Sequence, residues 1–367
     1  MRLKAHKEDL YKLRFSAMCK PAGEVANLTQ LESHTTRART MLMWRVAAGI
    51  INWGPREVEL MYESTLDSIS TAFDVFHYPI HEYMLDARAD IWDADLAPEC
   101  VRQAVARDSD QATAPPPTGE TLLLAGEVAQ FGDVGLLEPL SAALRAAGVA
   151  AAAWTTSTGA LAYALGAQDR AKVQAEKIVA GLRSNGAKTV IADGPETAWA
   201  LTRVYPALGV EPPEGVVVRL LSEVLADGLK PTRRNLGQVF VHDSRPAYLI
   251  STKEPLYTVV LPGYTRDESA FGRGPVYEAP RHLLDAWGAE RVWGTWTRAL
   301  AKTSGSDDGL WLTYPDLSAG LAAQRLDYAR SLGAALVVTD SPLAAGYLSQ
   351  YAEGHEIEVK LLAELLA

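Results

Sequence analysis

Two segments of this chain occur twice, in the same order. GAKTVIADGP (186–195) aligns with GAALVVTDSP (333–342) at an offset of 147, and VVVRLLSEVLA (216–226) aligns with IEVKLLAELLA (357–367) at an offset of 141. In each copy of the first segment an apolar β-branched run ends in aspartate, followed by a small residue and proline. Such a run reads as a buried strand, and the turn residues after it read as the entry to a helix. A chain carrying this unit twice is constrained to two similar α/β layers.

The remaining strand runs fit that frame. TLLLAGEV, GVVVRLL, QVFVHDS and YTVVLPG are short aliphatic runs bounded by turn residues, and the amphipathic LLEPLSAALRAAG and QRLDYARSLG lie between such runs. Strands alternating with helices predict βαβ units around mostly parallel sheets. The front of the chain differs. TRARTMLMWRVAAGI and VELMYESTLDSI have helical spacing and few breakers. ARDSDQATAPPPTGE (106–120) and LKPTRRNLGQ (229–238) read as linkers. The expected organisation is a helical domain over 1–110, a first α/β repeat over 120–230 and a second over 237–367. The fold class is thus α/β, with an N-terminal all-α domain before two pseudo-symmetric Rossmann-like repeats.

Composition narrows the function. With 48% hydrophobic and 22% charged residues, the 367-residue chain is globular and needs no staple to fold. Lys plus Arg is 35 against 45 Asp plus Glu, a net charge of −10, which argues against nucleic acid as a partner. Two cysteines exclude a disulfide framework and any site built from four thiolates of one chain. The start, MRLKAHKEDLYKLRF, has no apolar signal region, and no stretch reaches the ~18 apolar residues of a membrane span. The expected location is cytoplasmic, with attachment to the inner membrane only through a partner.

Chemistry-bearing motifs are sparse. There is no G-x-G-x-x-G after a strand, no Walker loop, no H-E-x-x-H and no G-x-S-x-G. His77 and His81, near Asp74 and Glu82, have zinc-like spacing, but Pro79 between them interrupts a regular helix, so surface or capping histidines are expected. His242-Asp243 closes a strand, where α/β ligands bind; an Asp capping the next helix is the expected reading. Glu127, Asp193, Glu196, Asp243, Asp307, Asp308 and Asp340 gather at expected strand ends; a solvated acidic rim is expected rather than a hard-cation site. Trp154, Trp199, Trp293, Trp296 and Trp311 are expected as core or interface anchors. No catalytic residue and no metal ligand emerge.

In order and spacing these segments resemble the two-repeat cysteine-rich (CCG-domain) iron–sulfur proteins, which include the iron–sulfur subunit of glycolate oxidase and the catalytic subunit of heterodisulfide reductase. The family's front domain holds two C-x-x-C-x-x-C-x-x-x-C-P runs for [4Fe–4S] clusters. LRFSAMCKPAG resembles the first, with Leu13, Ser16, Cys19 and Gly23 at the ligand places, and STLDSISTAFD the second, with Ser64, Asp67, Ser70 and Asp74. LESHTTRARTMLMW between them is similar to L-E-S-x-x-P-R-G-R. In the first repeat Glu127 stands at the first cysteine, STGALAYALG resembles C-C-G-x-x-x-x-x-x-G with Ser157 and Thr158, and DGPETAWALTRVYP resembles C-P-x-C with Gly194 and Thr197. In the second, VFVHDSRPAYL is similar to H-D-x-C with Arg245 at the cysteine, and GPVYEAPRHLL to the A-P-R helix start. KTSGSDDGLW resembles C-C-G-G-G-G-G-x-W with Thr303 and Ser304, and TDSPLAAGYL the second C-P-x-C with Ser341 and Ala344.

Cys19 is the one cysteine among these positions, and Cys100 lies outside every motif, as a buried helix residue. The resemblance therefore implies a fold that has kept its scaffold and lost its clusters, so no iron–sulfur cofactor is expected. It implies a non-redox structural or assembly subunit, partnered by an FAD-dependent dehydrogenase or oxidase subunit or by a cysteine-complete paralogue. A second expectation is a carboxylate- or cation-binding protein whose crevice between the repeats is lined by His242, Asp243, Arg245, Thr303, Ser304, Asp307 and Asp308. There Arg245 would pair a carboxylate, or else one of the aspartates. An electron-transfer subunit is the third.

Overall fold

The computed structural model of the protein describes residues 1–15, 19–66, 68–74, 78–110, 115–230, 232–251 and 272–366. Ser16, Asp67, His77 and the run YTVVLPG lie outside the described residues.

Helices fill the front domain: Lys7–Leu13, Cys19–Ala22, Glu24–Thr29, Thr36–Ala47, Pro55–Tyr62, Ser68–Phe73, Ile80–Asp93 and Glu99–Ser109. Thr35 caps one, its hydroxyl accepting from Ala38 N at 3.2 Å, and Pro55 pre-sets the first turn of another. Glu99–Ser109 runs into the expected linker because Val101, Ala104, Val105 and Asp108 fall on one buried face. Cys100, on the same helix, is half-buried.

Two buried arginines hold the segment 60–64. Arg39 donates to the carbonyls of Leu60 (2.9 Å), His34 (2.7 Å) and Glu63. Arg88 donates to Met61 (3.0 Å) and Ser64 (2.7 Å), and reaches into the first repeat at Ala164 (2.8 Å). A guanidinium on three carbonyls satisfies buried backbone acceptors that no helix or sheet reaches.

Both repeats contain a four-stranded parallel sheet. The first uses β1 (Thr121–Ala125), β2 (Ala152–Thr155), β3 (Thr189–Ala192) and β4 (Val217–Leu220) in the order β2-β1-β3-β4. The second uses β5 (Gln238–Val241), β6 (Glu290–Arg291), β7 (Leu336–Thr339) and β8 (Glu358–Leu361) in the equivalent order β6-β5-β7-β8. Strands β3 and β7 start 147 residues apart, and β4 and β8 start 141 apart, the offsets of the sequence repeat. One capping device is duplicated as well: Glu223 accepts from Leu220 N (3.1 Å) and Glu364 from Leu361 N (2.6 Å). The edge strands β2 and β6 carry no β-branched run and gave no sequence signal.

Alternate residues of the central strands bury on opposite faces, as a period of two requires. Leu122 and Leu124 of β1 join the core shared with the front domain, while Leu123 and Ala125 join a core between the repeats. Val239 and Val241 of β5 enter that same inter-repeat core, and Phe240 faces away. Helix contacts across the interface come in matched pairs. Leu221–Gly228 packs on Pro275–Trp287, and Leu137–Ala146 packs on the turn Leu362–Leu366; Gly126–Phe131 packs on Pro342–Ser349, and Arg245–Ile250 on Pro195–Trp199. Each contact recurs with the repeats exchanged, which is the signature of a pseudo-two-fold arrangement.

Candidate functional site

Strands β1, β3, β5 and β7 end where four short helices begin: Gly126–Phe131, Pro195–Trp199, Arg245–Ile250 and Pro342–Ser349. This is the carboxyl edge where open α/β sheets bind ligands. Most of the residues singled out in the repeats meet there.

Glu127 is 1% exposed and bridges the repeats. Its Oε1 accepts from Glu196 N (2.8 Å), and its Oε2 from the Ser341 hydroxyl and Leu343 N (3.3 Å). The Ser341 hydroxyl also accepts from Ala344 N at 3.1 Å, capping its helix. A Cβ at Gly194 would lie 2.2 Å from Glu127 Oε1, so glycine there leaves room for the carboxylate. A Cβ at Gly126 would meet Thr197 Oγ1 at 2.5 Å and Thr158 Cγ2 at 2.6 Å. Asp193 accepts from Thr197 Oγ1 (2.6 Å) and Val128 N (3.0 Å). Glu127, Thr158, Gly194, Thr197, Ser341 and Ala344 are thus neighbours. Ser157 turns instead to Asp108 of the front domain, at 2.7 Å.

The equivalent place in the second repeat holds Arg245. It forms a buried ion pair with Asp308 and lies 5.5 Å from the Trp199 ring centroid. Of the two partners expected for Arg245, the structure therefore supplies an aspartate. Thr303 donates to Asp307, and the Ser304 and Ser306 hydroxyls are 2.8 Å apart. His242 Nδ1 accepts from Arg325 Nε at 2.9 Å, its Nε2 is buried with no hydrogen-bond partner among the described residues, and burial, reinforced by Arg325, drives the imidazole well below its usual pKa. Asp243 does not cap its helix; Arg281 grips it through two bonds of 2.7 Å, and Arg298 N donates at 2.6 Å. Burial works to raise the Asp243 carboxyl, but Arg281 outweighs it and holds it below the usual range.

In the front domain Leu13 is core, Gly23 precedes helix Glu24–Thr29, and Ser64 and Asp74 are buried. Ser70 meets the Thr36 hydroxyl at 2.7 Å. Helix Cys19–Ala22 packs on Ser68–Phe73, bringing the two cysteine-run counterparts together. His81 is buried, its Nδ1 at 3.2 Å from the Thr71 hydroxyl, so it is not the expected surface histidine. Among the described residues no group of three His, Cys, Asp or Glu is placed to hold a metal ion. Trp154 and Trp199 are core residues, whereas Trp293 is exposed.

The acidic residues do not form a solvated rim. Glu127, Asp193, Glu196, Asp243, Asp307 and Asp308 are all buried: Glu127 and Asp193 accept from backbone amides and hydroxyls, Glu196 bonds Gln130, Asp307 accepts from Thr303, and Asp243 and Asp308 pair with Arg281 and Arg245. Burial raises Glu196 to about 8 and Asp193 to about 6, and holds Glu127 well above the ordinary range, with Asp193 and Glu196 adding to the effect. Folded-state carboxyls raised in this way bind protons that the unfolded chain has released, so their stabilisation fades as pH rises through the folded values. Thermal unfolding is expected at a lower temperature at pH 9 than at pH 6. Glu196→Gln should flatten that fall, matching the parent at pH 5 and exceeding it at pH 9. An unchanged pH profile in the variant would remove Glu196 from this account.

Sequence reasoning missed Glu24, buried at the junction of the front domain and the second repeat. It accepts from Thr65 Oγ1 (2.9 Å) and from Thr303 N, a partner 279 positions away that no local pattern announces.

No family model matches the chain, and no curated protein matches it. Among solved structures it is similar to a hypothetical protein from Helicobacter pylori, with a TM-score of 0.59 at 11% identity, covering 100% of this chain and 75% of that one. That likeness concerns the fold, and agrees with the two-sheet α/β architecture.

Proposed function

We propose that this chain is a non-redox structural subunit, a cluster-free counterpart of the iron–sulfur subunits it resembles, which holds a flavoprotein–iron–sulfur assembly together. One observation carries the reading. Positions that resemble cluster ligands come together in the fold and are engaged by groups of the protein itself: Glu127 by Ser341 and Glu196 N, Thr197 by Asp193, Thr303 by Asp307, Arg245 by Asp308. Hydroxyls, carboxylates and a guanidinium engaged in this way are not the thiolate donor set of a [4Fe–4S] cluster, and the residues do not fit that group. What persists is the scaffold around the site, including the Arg281–Asp243 pair.

The crevice reading is weaker for the same reason. Asp308 already takes Arg245 Nη2 and supplies the countercharge a carboxylate ligand would bring, although Arg245 Nε and Nη1 have no hydrogen-bond partner among the described residues.

Affinity purification of a tagged chain from its native host, with mass spectrometry and an absorption spectrum of the eluate, tests the assignment. A stoichiometric FAD-dependent subunit or cysteine-complete paralogue is the expected result. A lone, colourless chain would overturn it.

A further inference from the structure

A cavity of about 170 Å³ opens on the front-domain side of Thr303, at the margin of the network just described. Its walls include Glu24 of the front domain, Trp296 and Lys302 of the segment before Thr303, and Leu321, Arg325 and Tyr328 of helix Pro315–Ser331. The volume corresponds to about six water molecules.

The polar groups here are unevenly satisfied. Arg325 is 2% exposed; its Nε donates to His242 and its Nη1 to the Trp296 carbonyl (2.8 Å), but its Nη2 has no hydrogen-bond partner among the described residues. The half-buried Lys302 has no carboxylate within ion-pair distance among the described residues, and its ammonium lies 4.3 Å from the Trp296 ring centroid. Glu24 lies near enough to favour the charge of both cations, but its oxygens accept from Thr65 and Thr303 N. Asp243 and Asp307 also favour the charge of Arg325, while their hydrogen bonds go to Arg281 and Thr303. A guanidinium donor atom without a hydrogen-bond partner and a half-buried ammonium without a carboxylate at ion-pair distance, both among the described residues, form an incomplete set that a ligand oxygen can complete. Trp296, Leu321 and Tyr328 supply an apolar and aromatic wall beside it.

We infer that this cavity binds a small organic monocarboxylate, its two oxygens shared between Arg325 Nη2 and the Lys302 ammonium and its body against Trp296 and Leu321. A carboxylate fits better than a phosphate: two donors match two oxygens, the neighbouring Glu24 disfavours further negative charge, and the rest of the lining is apolar. The site shares Thr303 with the ligand-like positions but neither Glu127 nor Arg245, and the proposed function does not require it, so its failure leaves that function standing.

Calorimetric titration of the purified chain with propionate, benzoate and inorganic phosphate tests this, with Trp296 fluorescence as a second signal. Saturable 1:1 binding of a carboxylate with Kd of about 1 mM or tighter is expected. Lys302→Met and Arg325→Gln should each weaken it tenfold or more. Lys302→Met alters a partly exposed side chain and keeps the test valid if Arg325→Gln fails to fold. Absence of saturation by both carboxylates, equal or tighter binding of phosphate, or unchanged affinity in a folded Lys302→Met variant would each overturn the proposal.

Discussion

Arg281→Met is expected to destabilise the chain by about 3–5 kcal/mol, the range for removing one partner of a buried ion pair. Arg281 is 1% exposed and Asp243 4%, so neither charge can turn to water. The pair also fixes backbone, since Asp243 Oδ2 accepts from Arg298 N and Arg281 Nη1 donates to Tyr277 O at 3.0 Å. Methionine fills most of the arginine's volume and leaves the buried carboxylate without its paired guanidinium. Denaturant midpoints of the purified variant read the effect. Adding Asp243→Asn should recover a large part of it, because asparagine still accepts from Arg298 N and buries no charge. A single variant within about 0.5 kcal/mol of the parent would show that the pair is dispensable to the fold.

Gly166→Ala is expected to cost about 3 kcal/mol or more, and to lower soluble yield. Gly166 has φ of +92°, where an L side chain is strained, and a Cβ there would lie 2.4 Å from the backbone C and O of Arg88. Neither side can yield. Arg88 is tied to Ala164 O on one flank, and Tyr62 donates to Leu165 O at 3.2 Å on the other. The substitution therefore wedges the front domain from the first repeat. Gly186→Ala is the control for positive φ alone, since no atom lies within 4 Å of its Cβ position. It should cost clearly less; equal costs would mean that the close approach to Arg88 contributes nothing.

Gly166 ends the segment STGALAYALG, so its place in the resemblance has a physical cause, the approach of one helix to another. The same holds for His242, Asp243 and Arg281, which meet Arg325, each other and Arg298 N inside the second repeat. The fold was legible because strand and helix periods are local, and the duplicated offsets reappear unchanged as strand starts. The helix over 99–109 was half legible: its apolar face was readable, but the Ser157–Asp108 bond that anchors its end was not. Composition misled at the acids. An overall charge of −10 suggests a solvated rim, whereas six of the seven are buried, Glu127, Asp243 and Asp308 against partners contributed by remote elements. Arg39, Arg88 and Arg325 escaped for the same reason, since a guanidinium serving carbonyls far along the chain leaves no spacing to read.

The claim that the ligand-like positions are closed to a cluster has a direct test. The purified chain is incubated anaerobically with ferrous iron, sulfide and a thiol reductant, desalted, and assayed for bound iron, labile sulfide and visible absorption. A colourless protein without stoichiometric iron or sulfide is the predicted result. A brown protein carrying both in cluster proportion would contradict it, and would mean that donors other than the network of Glu127, Ser341, Arg245 and Asp308 assemble a cluster on this fold.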